Sequence, residues 1–220
     1  MSYCRARAAE YRFDPSMKTA SRSVEWNMVE AVERDEASGR PAEPAVDLGI
    51  DDGLDLDAAV IVALGCNDKG AWASCREALD AAVARFRCEG VDVVAQSSWW
   101  SSAAWPDPTD PPFLNGVVLV RTAHDPHQLM AALGRIEDAF GRQRSLRNAP
   151  RTLDLDLIAF GRLSGDLDGL ILPHPRAADR LFVMGPIAEI APQWTHPTIP
   201  AEAAVLASRA SVGRDAHPLR

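Results

Sequence analysis

The chain has 220 residues, 47 % hydrophobic and 25 % charged, which is the composition of a soluble globular protein with room for one well-buried domain and extensions, or two small ones. Its net charge of −8 is uneven: residues 1–57 hold 7 Lys and Arg against 13 Asp and Glu, and the remainder holds 16 against 18. A nearly neutral body argues against a general nucleic-acid binder, and no run approaches the ~18 apolar residues of a membrane span.

Residues 1–57 lack sustained periodicity and include "SGRPAEPAVDLGIDDG", so they read as a disordered N-terminal extension with a short helix around 24–36. The first residues, "MSYCRARAAEYRF", have no apolar core of the signal-peptide kind. Cys4, Cys66, Cys75 and Cys88 form no C-x-x-C pair, so reduced thiols in a cytoplasmic protein are expected. The folded body is expected to begin at Ala58 and run to residue 200, with 201–220 as a tail.

"AAVIVALGCN" is a continuous apolar run closed by a glycine turn, the pattern of a buried strand. "KGAWASCREALDAAVARF" spaces Trp72, Cys75, Ala78, Leu79, Ala82, Val83 and Phe86 at helical steps. "VDVVAQSSWW" predicts a strand, "SSAAWPDPTDPPF" an irregular loop with four prolines, and "LNGVVLVRT" another strand. In "DPHQLMAALGRIEDAFGR", Asp125 is the expected N-cap, Pro126 opens the helix, and Leu129, Leu133, Ile136 and Phe140 form one stripe. The strand "RTLDLDLIAF", a short strand at "GLILP", and a helix over "AADRLFVMGPIAEIA" interrupted by Pro186 complete the series. The order β-α-β-β-α-β predicts an α+β fold with a ferredoxin-like core. Its antiparallel sheet would be covered by helices on one face, with an additional C-terminal strand and helices.

Within "APRTLDLDLIAFG", Asp154 and Asp156 share one face of the strand while Leu153, Leu155 and Leu157 take the other. Two rises put the carboxylates about 6–7 Å apart, where unpartnered charges repel and lose hydration. A similar D-x-D at Asp55 and Asp57 lies in an acidic stretch and reads as chance. The second copy differs because Arg142, Arg144, Arg147 and Arg151 precede it. A basic loop entering a carboxylate pair suits a polyanion carrying a divalent metal, such as a nucleoside triphosphate with magnesium. The predicted helix-free sheet face would carry it.

No P-loop, G-x-G-x-x-G, H-E-x-x-H, EF-hand or G-x-S-x-G motif is present. "LPHPRAADR" offers His174, Arg176 and Arg180, either a charged surface turn or further phosphate ligands. The loop with Trp105 and Phe113, closed by Asn115, either covers the core or holds a flat heterocycle by stacking and paired amide atoms.

"ALGCN", "FLNGVVLV", the segment from "RIEDAFGR" through "RNAPRTLDLDLIAFG", and "LPHPRAADRLFVMGPIAEIAP" resemble the 6-hydroxymethyl-7,8-dihydropterin pyrophosphokinase family over residues 60 to 194. The resemblance implies an ATP- and Mg-dependent enzyme of folate biosynthesis. It would transfer the pyrophosphoryl group of ATP to the pterin hydroxymethyl group and leave AMP. It implies that Asp154 and Asp156 hold two Mg²⁺ ions and that Arg142 and Arg151 act in catalysis. Glu137, Arg144, His174 and Arg180 would contact ATP, and Phe113, Asn115, Phe182 and Trp105 the pterin. Small-molecule partners and a monomer or weak dimer are expected.

Departures from the family pattern are Cys66 in place of a serine, "SSAAW" in place of a Thr-Pro-Pro stretch, Asn148 at a loop tryptophan and Pro175 at a tyrosine. Two other classes stay open: a D-x-D glycosyltransferase, which leaves the arginine loop unexplained, and a non-catalytic ferredoxin-like module for RNA or regulation.

Overall fold

A computed structural model describes residues 55–104, 109–141 and 152–219. These belong to the second of two units into which the chain divides, Asp52–Arg220. The expectation for the leader falls, apart from its last three residues, outside the described residues. Asp55 and Asp57 flank the start of a short 3-10 turn, Leu56–Ala58, in which Asp55 accepts a hydrogen bond from the Asp57 amide.

The apolar run becomes β1 (Val60–Cys66), the second strand of the main sheet. It pairs antiparallel with β4 (Phe113–Thr122) on one side and β5 (Asp154–Phe160) on the other. β2 (Val91–Gln96) pairs with the far half of β4 and β3 (Trp100–Ser102) with its near half, both antiparallel. The expected single strand over "VDVVAQSSWW" is therefore split. At the break, Ser97 exchanges backbone and side-chain bonds with Val117, whose N–H donates to Ser97 Oγ at 3.0 Å.

α1 (Cys75–Phe86) starts later than its apolar pattern suggests, because Ser74 caps it by accepting from the Glu77 N–H at 3.1 Å. Trp72 falls before the cap and stacks on Phe140 with ring centroids 5.2 Å apart. α2 (Pro126–Ala139) has the predicted cap, extended to a full capping box by Gln128. After β5 come the hairpin β6 (Gly165–Leu167) and β7 (Leu170–Leu172), then α3 (Leu181–Ile190) and α4 (Ala203–Arg209). α3 runs through Pro186 rather than stopping at it.

Strand alternation sorts the core into two layers. Val60, Val62, Leu64, Val118, Val120, Leu155 and Leu157 face α1 and α2, meeting Leu79, Phe86, Leu129, Leu133 and Ile136. Ile61, Val117, Leu119 and Ile158 face the other way, against Val183, Met184, Ile187 and Leu206 of α3 and α4. Helices thus cover both faces, correcting the expectation of a single covered face. The end of the second face that carries Ala63, Gly65, Asn115, Asp154 and Asp156 opens into a cleft.

The adjacent tryptophans divide between the layers. Trp99 packs beneath Gly116, where a Cβ would sit 2.5 Å from its ring, and its Nε1–H donates to Asp80 of α1 at 2.9 Å. Trp100 packs beneath Gly185 of α3 in the same way, and its Nε1–H donates to Glu189 at 2.8 Å.

Residues 201–219 are folded, not a tail. Beyond α4, β8 (His217–Pro218) pairs antiparallel with β3, and the Leu219 N–H reaches the Trp99 carbonyl at 2.7 Å. Among the described residues no helix is long and apolar enough to cross a membrane.

Candidate active site

The open end of the second face forms a cleft of about 370 Å³. Register explains its floor. Asp154 lies opposite Gly65 and Asp156 opposite Ala63, while Gly65 also lies opposite Asn115 on β4. The acids therefore border the two smallest residues of β1. A Cβ on Gly65 would stand 3.7 Å from Asn115 Oδ1 and 4.0 Å from Asp154 Cβ, so the missing side chain keeps the space between amide and carboxylate open.

β5 holds the acid pair in place from behind. Leu155, the residue between them, donates its N–H to Glu137 Oε1 at 2.9 Å. Glu137 is 3 % exposed, on α2, and does not line the cleft. The contact buttresses the strand: β5 is the outer strand of the sheet, and this carboxylate satisfies one of its backbone donors.

The opposite wall is the turn after β7 together with the start of α3. The His174 N–H donates to Ile158 O at 2.8 Å, which seats the turn beside β5 two residues beyond Asp156. His174 Nδ1 accepts from the Arg176 N–H at 3.3 Å, so a neutral ring carries its proton on Nε2 as a donor. Burial holds the His174 pKa below its ordinary value; the Asp156 charge works against that, and Arg180 and Arg176 reinforce it. Burial also lowers the Arg180 pKa, with Arg176 adding to the effect and Asp156 and Asp154 opposing it. The acid pair and the cations thus feel one another across the cleft.

The remaining wall is apolar and planar. Phe113 and Asn115 come from β4, and Asn115 Nδ2 donates to Ser102 Oγ at 3.0 Å from the neighbouring strand. Phe182 comes from α3, with the Arg180 guanidinium 5.6 Å from its ring centroid.

Eight of the residues singled out from sequence thus line one cleft: Asp154, Asp156, His174, Arg176, Arg180, Phe113, Asn115 and Phe182. Arg142, Arg144, Arg151 and Trp105 lie outside the described residues, as do Arg147 and Asn148. Ser102, Ala103, Asp110 and Val212 also line the cleft, and Asn67 joins them from the turn after β1. Of these, only Asn67 had a signal, its place in "GCN". Cys66 beside it is fully buried, and burial first and then the neighbouring Cys75 push its thiol pKa upward, which keeps it an unreactive thiol.

Among the described residues no cluster of three or more His, Cys, Asp or Glu exists to cage an ion. Two carboxylates on one strand face suit Mg²⁺, which takes one or two protein carboxylates and fills its octahedron with phosphate oxygens and water.

An α+β protein whose cleft brings a carboxylate pair, cations and a flat apolar wall together has the groups that suit a polyanion beside a planar molecule. Residues 61–192 match the model of the 7,8-dihydro-6-hydroxymethylpterin-pyrophosphokinase (HPPK) family. The chain belongs to that family.

Among its relatives, the 2-amino-4-hydroxy-6-hydroxymethyldihydropteridine pyrophosphokinase of Pseudomonas aeruginosa is 40 % identical over 139 residues, 63 % of this chain and 83 % of that protein. The enzyme of the same name from Synechocystis sp. is 44 % identical over 108 residues, 49 % of this chain and 55 % of that one. The chain spans about half the length of that relative and a quarter of the Pisum sativum folate synthesis bifunctional protein, to which it is 35 % identical over 61 % of its own length. A Plasmodium falciparum HPPK-DHPS crystal structure shares the fold, with a TM-score of 0.54 at 12 % identity, covering 69 % of this chain and 44 % of that one.

Proposed function

We propose that the chain transfers the pyrophosphoryl group of ATP to the hydroxymethyl oxygen of 6-hydroxymethyl-7,8-dihydropterin, giving AMP and the pterin diphosphate in folate biosynthesis. The observation that carries this reading is the convergence, in one cleft, of Asp154 and Asp156 with His174 and Arg180 on one side and Phe113, Asn115 and Phe182 on the other.

Asp154 and Asp156 would hold magnesium, two ions in this reading, which would neutralise the triphosphate charge and orient it. The pterin hydroxyl oxygen attacks the β-phosphorus and gives up its proton to solvent, the bond from that phosphorus to the α,β-bridging oxygen breaks, and AMP departs with its electron pair. The chain's own part is positioning and charge neutralisation, the two demands of phosphoryl-type transfer. His174 offers a neutral Nε2–H and Arg180 a guanidinium to phosphate oxygens. Arg151, three residues before Asp154, and Arg142 and Arg144 further upstream supply additional cations in this reading. Asn115 and the two phenylalanines bind the flat acceptor by amide hydrogen bonds and stacking.

The sheet order β5-β1-β4-β2, antiparallel throughout, supports a ferredoxin-like core to which β3, β8, α3 and α4 are added. A cytoplasmic monomer or weak dimer acting on small molecules completes the proposal. The test is direct: the full chain incubated with ATP, Mg²⁺ and the reduced hydroxymethylpterin should release AMP only when the pterin is present. ATP consumption independent of the pterin, or none at all, would overturn it.

A further inference from the structure

The segment 211–219 touches the cleft at three points that no motif announces. The first is its anchorage at the base of α3, where the Ser211 and Val212 N–H groups donate to Asp179 O at 3.1 and 2.9 Å and the Leu181 N–H donates back to Val212 O at 2.9 Å. Val212, 42 % exposed, lines the cleft there.

The second is Gly213. Its φ is +67°, and a Cβ placed on it would sit 2.4 Å from Phe182 Cδ1 and 3.0 Å from Cε1. Both the backbone conformation and the close approach select glycine, and the atoms in the way belong to the ring that lines the cleft. Phe182 therefore lies where the bare backbone of Gly213 allows it to lie.

The third is Asp215, whose carboxylate accepts a hydrogen bond from the Ala103 N–H. Ala103 and its neighbour Ser102 line the cleft from the β3 side, and Ser102 is the hydroxyl that receives Asn115 Nδ2. Pairing of His217 with Ser101 and of Pro218 with Trp100 fixes β3 just before that point.

One segment thus ties the Phe182 wall to the Ser102 wall, on the side of the cleft away from the acid pair's strand. We infer that residues 211–219 set the spacing of the planar-acceptor subsite, with Gly213 positioning Phe182 and Asp215 positioning the Ala103 backbone, and so determine affinity for the acceptor. This rests on the proposed reaction and assigns to it positioning residues that touch neither phosphate nor metal.

Steady-state kinetics on the full chain separate the possibilities. Gly213→Ala should raise the pterin KM about tenfold, with kcat and the ATP KM held within about twofold. Asp215→Ala, an exposed loop change that leaves the core intact, should shift the same constant in the same direction. Phe182→Ala supplies the decisive background: if Gly213 acts through that ring, adding Gly213→Ala to it should change the pterin KM by less than about twofold.

Equal effects on both substrates, or the full Gly213→Ala effect retained without the phenylalanine, would overturn the inference. A wild-type chain without turnover sinks the proposed reaction and the inference with it. A wild-type chain that releases AMP, with Gly213→Ala and Asp215→Ala both unchanged, sinks the inference alone.

Discussion

The two faces of the sheet are built from the same strands and put to different uses. Toward α1 and α2 the alternating residues are Val, Leu and Cys, buried almost without exception, and the layer is a continuous apolar contact. Toward α3 and α4 the same alternation gives Ile61, Val117 and Ile158 at one end and Ala63, Gly65, Asn115, Asp154 and Asp156 at the other. The pattern that makes one face cohesive leaves the other with small residues and charges side by side. The lesson is that a site here is a region where packing stops, supported by a layer where it does not.

That contrast predicts that substitutions separate by face. Asp156→Ala should lower kcat by about 10³-fold or more, since a metal-holding carboxylate stabilises charge at the reacting phosphate. Its urea midpoint should stay near wild type; a variant that kept its turnover would remove the acid pair from the chemistry.

Trp99→Ala belongs to the other face. Trp99 is 5 % exposed and fills the space over Gly116, so its loss should destabilise the protein by about 3–5 kcal/mol. The kcat of the folded fraction should change little. A parallel collapse of kcat would mean the two faces are not separable.

Glu137→Ala tests the link between them. It strands the Leu155 amide between the aspartates, and an orphaned buried donor costs about 1–3 kcal/mol. Because that amide fixes β5, kcat should also fall, by about tenfold. Loss of stability alone would leave Glu137 a core residue without influence on the acid pair.

The smallest effect concerns pH. Burial first, and then the charge of Arg162, lower the pKa of His196 below its ordinary 6.5. Its Nδ1 accepts from the N–H groups of Thr198 and Ile199, at 3.3 and 3.2 Å, a role that protonation would end. The unfolded chain takes the proton more readily, so this contribution is complete above pH 6.5 and declines as the pH falls below it. Thermal melts at about pH 7.5 and about pH 5 should show a drop that His196→Asn reduces, because the amide oxygen replaces Nδ1 as acceptor without titrating.

Sequence reading reached local features and those repeated along one element. The N-cap of α2, the apolar run of β1 and the sidedness of Asp154 and Asp156 all follow from spacing within a few residues. The residues of the cleft were legible as chemistry, and eight of them converge. The direction of Glu137 was not legible, because a position in a motif does not state it; on α2 its carboxylate reaches the β5 backbone. The 211–219 segment was illegible for a different reason. Its partners, Ala103, Asp179 and Phe182, are scattered through the chain, and no periodicity records a contact of that kind. The second helix layer was missed likewise: the α3 stretch could be read as helical, but not which face of the sheet it would meet, and α4 lay in the stretch read as a tail.

The two neighbouring indoles, Trp99 just before β3 and Trp100 at its start, act as an index mark for that strand. Each enters a notch formed by a glycine and is hooked by an acid, Asp80 on one side and Glu189 on the other. Sliding the strand by a single residue would exchange the rings and fill neither notch, because consecutive side chains change sides. A three-residue strand, too brief to choose its alignment by backbone pairing, is thereby keyed from above and below at once.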